Sequence, residues 1–574
     1  MLNTATIRCL LGSSLAVLAV GTVHAQTAPA VMAATTSYSD LTIAEGQIPA
    51  APQGKYLTLT VDGVEVPLAA GHYSGQVVLS VTDDIPVSYH KVMEHHFRAA
   101  AYVEDGKLIP EKSATAALSP STVIGNGVLA NASITSRGER FNGIVVTGKG
   151  SYRLDHPVID LTGNGGNDFA GFGAAIAATG EADLTIDRPI IRTHGAIRPA
   201  IFVGGKATVH VNDAEIEVLN GTLPAGYKFT VDMGKMMEVP WMLGLSGNVR
   251  ATNLVDYGTV YYNRSHIRAQ GWGAVSTDDS IKVRMFVKDS LIETVESGYG
   301  CYSIGDSVDS FSHSIIRAAD IGCIMAAQGS ILFSEGTRVE AGQYGVMMHS
   351  AAGGGQLVID KGSALIAGET AIQVKGIGTT VLVDSATIRA GNGILLQSME
   401  NDDPFMKAMM SGHLPEGMDA PPPGVADGGA KTGPTPSPDV VATFRSTSLV
   451  GDFYNARTKD SAMVLTFEST RLRGRIASST VAPTLGREPT RQTYKEIGRV
   501  TNTPGFVAGS QGVRVSLGAG SHWIVTDKSY LSALDLAPGA RLEAASGNLR
   551  ITVNGRPVRL KPGKYIGQIV IEGQ

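Results

Sequence analysis

Between His266 and Gln397, short apolar runs return at a near-constant interval. "HIRAQGWGAVST" from His266, "SLIETVESGYGCYSI" from Ser290 and "SIIRAADIGCIMA" from Ser314 share one layout. So do "TRVEAGQYGVMMH" from Thr337, "SALIAGETAIQVK" from Ser363 and "SATIRAGNGILLQ" from Ser385. Each has a β-branched run, a small-residue turn and a second apolar run. With the turn position set at Gly273, Gly300, Gly322, Gly345, Ala371 and Gly393, the intervals are 27, 22, 23, 26 and 22 residues. The runs are short and alternate with period two, which predicts strands. Helical repeats need longer units, about 33 to 45 residues. The spacing therefore predicts one coil of a parallel β-helix per repeat, with strands stacked about 4.8 Å apart. "FNGIVVTG" from Phe141, "RPAIFVGG" from Arg198 and "STSLVGDFYNAR" from Ser446 extend the pattern to either side.

Alternation assigns faces to the second run of each coil. One residue after the turn position come Ala274, Cys301, Cys323, Val346, Ile372 and Ile394. Two further on come Ser276, Ser303, Met325, Met348, Val374 and Leu396. These are small or apolar and are expected to point inward, so Cys301 reads as a core residue stacked on Cys323 rather than as a nucleophile. The outward ladders are Val275, Tyr302, Ile324, Met347, Gln373 and Leu395, and Thr277, Ile304, Ala326, His349, Lys375 and Gln397. An outward strip this apolar calls for a cover or a ligand. Before the turn position stand Trp272, Tyr299 and Tyr344, either an internal stack or a platform for flat sugar faces.

Two stretches depart from the coil pattern. "YLTLTVDGVEVPLAAGHYSGQVVL" (Tyr56–Leu79) recurs as "NLRITVNGRPVRLKPGKYIGQIVI" (Asn548–Ile571), identical at 11 of 24 positions. Asp62-Gly63 and Asn554-Gly555 are tight-turn dipeptides between alternating strands. A matching β-module near each end is expected to cap a solenoid, whose bare end is an exposed sheet edge; the alternative is a carbohydrate- or wall-binding module. The second departure is Met399–Val440, too rich in proline and glycine for regular strands. Its first part, with Phe405, Met406, Met409 and Met410, is expected to form a short apolar helix over the solenoid, and its second part a flexible linker.

Met1–Ala25 has an early Arg8, an apolar run and small residues before Gln26, the layout of a secretory leader. No later apolar stretch approaches the ~20 residues of a membrane span. The expected destination is a bacterial periplasm or beyond. The expected division is a leader over 1–25, an N-terminal β-module and cap over 26–120 and β-helix over 121–397. An insertion over 398–440, further β-helix over 441–547 and the C-terminal module over 548–574 follow. A net charge of −5 and the lack of a basic run give no case for nucleic acid. Beyond Cys9 only Cys301 and Cys323 remain, so neither a disulfide framework nor a zinc-ligand spacing is present.

From about Ser121 to Asn548 the coils resemble the secreted right-handed parallel β-helix proteins of the pectin-lyase-like group. "GSHWIVTDKSYLSALDLAPGARL" (Gly520–Leu542) resembles the last coils of bacterial autotransporter passengers. "STDDSIK" (Ser276–Lys282), followed by Tyr299 in "GYG" and by Ser303-Ile304-Gly305, resembles polygalacturonases. There Asp278 and Asp279 match the acidic pair, and Tyr299 stands where that family has histidine. Ser-Ile-Gly comes one residue late, and the downstream Arg-Ile-Lys is absent from its expected place.

Paired carboxylates suit glycoside hydrolysis, which needs two carboxyls about 5 to 9.5 Å apart, a distance that one or two coil steps supply. Asp278, Asp279, Glu296 and Asp306 lie near one edge of adjacent coils; aspartates are also common at turns. A lyase instead needs a base such as His349 or Lys375 and an acid such as Tyr302. Val231–Met242 and the insertion hold nine of the 17 methionines, which suits lid packing or an irregular apolar ligand. The resulting expectation is an exported carbohydrate-active enzyme, hydrolase or lyase, using Asp278, Asp279, Tyr302 and His349, with substrate along Trp272, Tyr299, Tyr344, Met347 and Lys375. The alternatives are a non-catalytic passenger-like surface or adhesion protein, and an enzyme acting on a small apolar or aromatic substrate in a Met-lined groove. The methionine thioethers would also suit Cu(I), no metal-ligating residues are assigned, and the cofactor and oligomeric state are left open.

Overall fold

The computed structural model describes residues 26–28, 30–89, 93–349, 354–411, 413–414, 416–418, 438–459 and 461–573. The expected leader and the second part of the insertion lie outside them. The chain is all-β, with long parallel stacks, and forms a parallel β-helix. Each coil contributes three strands. Gly273–Ser280, Val283–Lys288 and Leu291–Thr294 form one coil, and Tyr299–Ile304, Ser307–Ser312 and Ile315–Ala318 the next. The three faces so built enclose one apolar core running the length of the solenoid.

The corners explain the serine that opens most repeats. Arg264, Asp289 and His313 take left-handed backbone angles, with φ of 49°, 51° and 47°. Each is followed by a serine that turns into the core and spans coils. The Ser265 amide donates to Ser290 Oγ at 3.0 Å, and the Ser290 amide to Ser314 Oγ at 3.2 Å. A small hydroxyl residue thus satisfies a buried amide where the sharp turn interrupts the ladder.

On the face made by Tyr299–Ile304 and its successors, Cys301, Cys323, Val346, Ile372 and Leu396 stack inward. Cys301 and Cys323 are direct neighbours, buried and unbonded. Two expectations need correction. Gly273 stands opposite Tyr299, not Gly300, so Val275 meets Cys301 and Ser276 meets Tyr302. Thr277 consequently points inward and Ser276 outward. The glycines answer different crowding: a Cβ on Gly273 would lie 2.1 Å from the Tyr299 ring, and one on Gly300 2.2 Å from Ile316. A shared glycine is therefore not a shared register. At the far end Ile372 faces Leu396, not Ile394. The Asn392-Gly393 turn takes up the extra pair, with Asn392 Oδ1 accepting the Ile394 amide at 2.9 Å.

The two end modules are antiparallel and close the solenoid. Val64–Val66 pairs with Ser133–Ser136 of the first coil, and Ser529–Leu536 pairs with Val513–Leu517 of the last. Among the described residues no helix is long and apolar enough to cross a membrane.

Candidate functional site

The outward ladder runs Ser276, Tyr302, Ile324, Met347, Gln373, Gln397 and Tyr454. Three insertions cover it. Residues 220–251 leave the solenoid after Glu215–Leu219, the described residues of 399–418 follow Ile394–Ser398, and residues 484–499 lie between Ile476–Pro483 and Val500–Pro504. They meet in an apolar cluster of Trp241, Met242 and Ile497, with Phe229, Val231, Phe405 and Tyr494 against it. Thr230 Oγ1 donates to Gly417 O at 3.0 Å, and the Tyr494 hydroxyl meets Ser246 Oγ at 3.0 Å. The cover binds the face through polar contacts as well. Tyr344 donates to Ile497 O at 3.1 Å and Gln373 to Gly498 O at 2.9 Å. Gly498 has φ of +86°, and a Cβ there would lie 2.9 Å from the Tyr344 oxygen, so this approach requires glycine.

Ile324, Met347, Gln373, Lys375, Trp272, Tyr299 and Tyr344 are accordingly buried. The Tyr299 hydroxyl bonds Ser276 Oγ at 2.7 Å, and burial pushes its pKa up to about 12. The three aromatic rings present no open platform. Lys375 Nζ lies 2.6 Å from Asp402 Oδ1. Burial works to raise the Asp402 carboxyl, but the Lys375 charge and the Gly498 amide at 2.7 Å outweigh it, and its pKa is lowered.

Asp278 belongs to a buried ionic group. Arg250 Nε donates to Asp168 Oδ2 at 2.5 Å, and Arg250 Nη1 to Asp278 Oδ2 at 2.6 Å. The guanidinium lies between the rings of Phe169 and Trp272, at 4.9 and 4.7 Å from their centroids. Burial would discharge it, but the two carboxylates overcome that and hold its pKa above the ordinary value. Asp279 stands on the strand Gly273–Ser280, but its side chain lies outside the described residues.

An opening lies beneath the cover. A cavity of about 270 Å³ is walled by Val231, Met242, Leu243, Ile304 and Phe405, and its polar side chains are Tyr302, His349 and Asp403. His349 Nε2 donates to Asp403 Oδ2 at 2.6 Å, and both residues are buried. Asp403 Oδ1 accepts the Phe405 amide at 2.7 Å, at the start of the helix Pro404–Met410. Aspartate followed by proline suits that helix start, so Asp403 both anchors the cover and orients the imidazole. Asp403 takes Nε2, leaving Nδ1 as the other ring nitrogen. Burial, with the charges of Asp278 and Asp403, pushes the Tyr302 phenol well above its ordinary value. It is therefore held protonated, as a donor.

Tyr302 and His349 thus come together, while Asp278 lies in the adjoining ion group and Lys375 pairs with Asp402. Asp168, Arg250, Asp402 and Asp403 escaped the sequence reading. The signal available for two of them was "NDDP" (Asn401–Pro404), a helix start inside the insertion. The chain matches no protein-family model and no curated protein.

Proposed function

We propose that the chain is an exported enzyme moving a proton on a small, largely apolar substrate held beneath the cover, a lyase or isomerase in reaction type. The observation that carries this is the convergence of an aspartate-held histidine and a protonated tyrosine on one apolar-walled cavity. His349 abstracts a proton from carbon, and Asp403 stabilises the imidazolium that forms. Tyr302 donates to the oxygen where negative charge develops or to the departing group. Each positioned acid or base is worth about 10²- to 10⁴-fold in rate. The likeness to pectin-lyase-like coils supports carbohydrate chemistry, but a polymer needs an open groove, and the burial of Trp272, Tyr299, Tyr344 and Met347 favours a small ligand.

A passive latch is the second reading, favoured by the adjacent His349–Asp403 and Lys375–Asp402 pairs, each joining cover to face. A thermal-shift panel of small aromatic and aliphatic carbonyl compounds beside oligouronates separates the readings. Under our proposal members of the first group raise Tm and one is turned over. Tyr302→Phe and His349→Ala, with Tm near wild type, then lose at least about 100-fold in kcat. Binding of oligouronates alone, or undiminished turnover in both variants, defeats the proposal. No ligand from any group, with Asp403→Asn simply lowering Tm, leaves the latch.

A further inference from the structure

The sequence repeat extends into a structural one. Asp62 Oδ1 accepts the Gln76 amide at 2.8 Å, and Asn554 Oδ1 accepts the Gln568 amide at 2.9 Å. The Tyr73 hydroxyl donates to Ala69 O at 2.9 Å, and the Tyr565 hydroxyl to Lys561 O at 2.8 Å. A further strand belongs to each copy although the sequences there differ. Thr36–Ile43 lies antiparallel on Gly71–Asp83 with an irregularity between Tyr38 and Asp40. Ser529–Leu536 lies antiparallel on Gly563–Gly573 with one between Leu531 and Ala533. Leu41 thus corresponds to Leu534, and Thr42 to Asp535.

The copies differ in what lies against that strand. At the C-terminal end Val515 and Ser516 of the last coil pair with Leu534 and Asp535. At the N-terminal end Gln26 and Thr27 take the same places against Leu41 and Thr42. Val31 then bridges Ala50 much as Ile524 pairs with Glu543. Residues 26–28 and 30–32 therefore stand as an abbreviated coil, and among the described residues no strand pairs with the outer side of Gln26–Thr27. Ile524 has Arg473 of the next coil beside it and is 5% exposed, whereas Val31 is 61% exposed, and Ile48 on the same module 45%. The cores tell the same story. Leu534, Ile551 and Ile569 belong to the continuous solenoid core, whereas Leu41, Leu59 and Val77 form a cluster of their own.

The opposite free edge is built differently. Val64 and Glu65 pair with Thr135 and Ser136 of the first coil, and the corresponding C-terminal residues are Arg556 and Pro557. A proline without an N–H and an arginine beside it blunt that edge against pairing. Head-to-tail stacking through it is thereby disfavoured, and both ends of each copy's solenoid are already capped. The surface that a second copy does offer is the same abbreviated coil. A two-fold contact requires only that one patch complement itself, and an unpaired strand edge does so in antiparallel pairing.

We propose that the N-terminal end face is an interface between two copies of this chain, pairing their abbreviated coils about a two-fold axis and burying Val31 and Ile48. Sedimentation of the purified full chain over a wide concentration range tests it. The expected result is a dimer, with Val31→Lys and Ile48→Lys each shifting it to monomer at unchanged circular dichroism and Tm. Mild oxidation of Val31→Cys is expected to yield a covalent dimer, and oxidation of Lys561→Cys at the far end none. A monomer at every concentration overturns the proposal. So does a dimer that survives both lysine substitutions, or cross-linking through Lys561→Cys in place of Val31→Cys.

Discussion

Asp309 offers the sharpest test of the interior. It stands on Ser307–Ser312 between Met285 and Ile331 of the neighbouring coils, in a column that continues with Val260, Leu357 and Val381. Its carboxyl has no solvent exposure, and burial pushes its pKa from 3.8 up to about 7. Hydrogen bonds from Ser303, from Thr277 at 3.0 Å and from Cys301 at 3.7 Å pull the other way without prevailing. The folded chain therefore holds a proton between about pH 4 and pH 7 that the unfolded chain has released. Stability from this group is complete below about pH 4 and is lost as pH rises, the loss ending above about pH 7. A displacement of about three pH units, at about 1.4 kcal/mol each, puts the ceiling near ~4 kcal/mol. Asp309→Asn removes the titration and keeps the shape. Any cost of the amide itself is the same at every pH, so the pH dependence of the difference isolates the charge. Calorimetry of both proteins at about pH 5 and about pH 8 should show Tm of Asp309→Asn gaining on wild type by about two degrees at the higher pH, on the order of 2–3 kcal/mol. A difference that stays constant with pH refutes the reasoning and places the carboxyl in contact with water.

Three further outcomes follow from the packing. Lys375→Met strands Asp402 beneath the cover and should cost about 3–5 kcal/mol, most of it recovered by Lys375→Met/Asp402→Leu; thermal unfolding of the single and double variants measures both. Gly300→Ala places a methyl 2.2 Å from Ile316 and 2.8 Å from Gly322 O and should cost about 1–3 kcal/mol or more, whereas Gly336→Ala, at φ of +79° in open space, should cost only about 1–2. Cys301, its thiol pushed up by burial, and Cys323 should resist a thiol reagent in the native protein and react once denaturant is added.

The coils were legible because their period is set by local chemistry. Each corner needs a residue that tolerates a left-handed angle and a small hydroxyl after it, and Asp289-Ser290 and His313-Ser314 advertise both. The neighbouring of Cys301 and Cys323 followed from that period alone. Register was less legible, because a one-residue slip exchanges inward for outward. Gly273 looked equivalent to Gly300, yet one makes room for a tyrosine ring and the other for an isoleucine two strands away. No single-residue mark separates these uses. Asp309 was likewise unreadable: period two puts it inward, but nothing local announces that a carboxylate will accept that place.

The site was half legible for a related reason. Tyr302, Met347 and His349 could be assigned to one outward strip because a parallel stack repeats its own register, and the strip's apolar character demanded a cover. What supplies the cover depends on contacts between distant parts of the chain. Trp241, Phe405 and Ile497 come from three separate insertions and meet over one face. The residue that holds the His349 ring, Asp403, sits in a stretch whose composition announced only a lid. Its two oxygens divide the work, one on the Phe405 amide and one on the imidazole. The helix that closes the cavity and the carboxylate that orients the base are thus fixed by the same side chain. Any motion that lifts the helix away with Asp403 must also release the histidine, so under the proposed function closure of the cover and readiness for proton transfer are coupled.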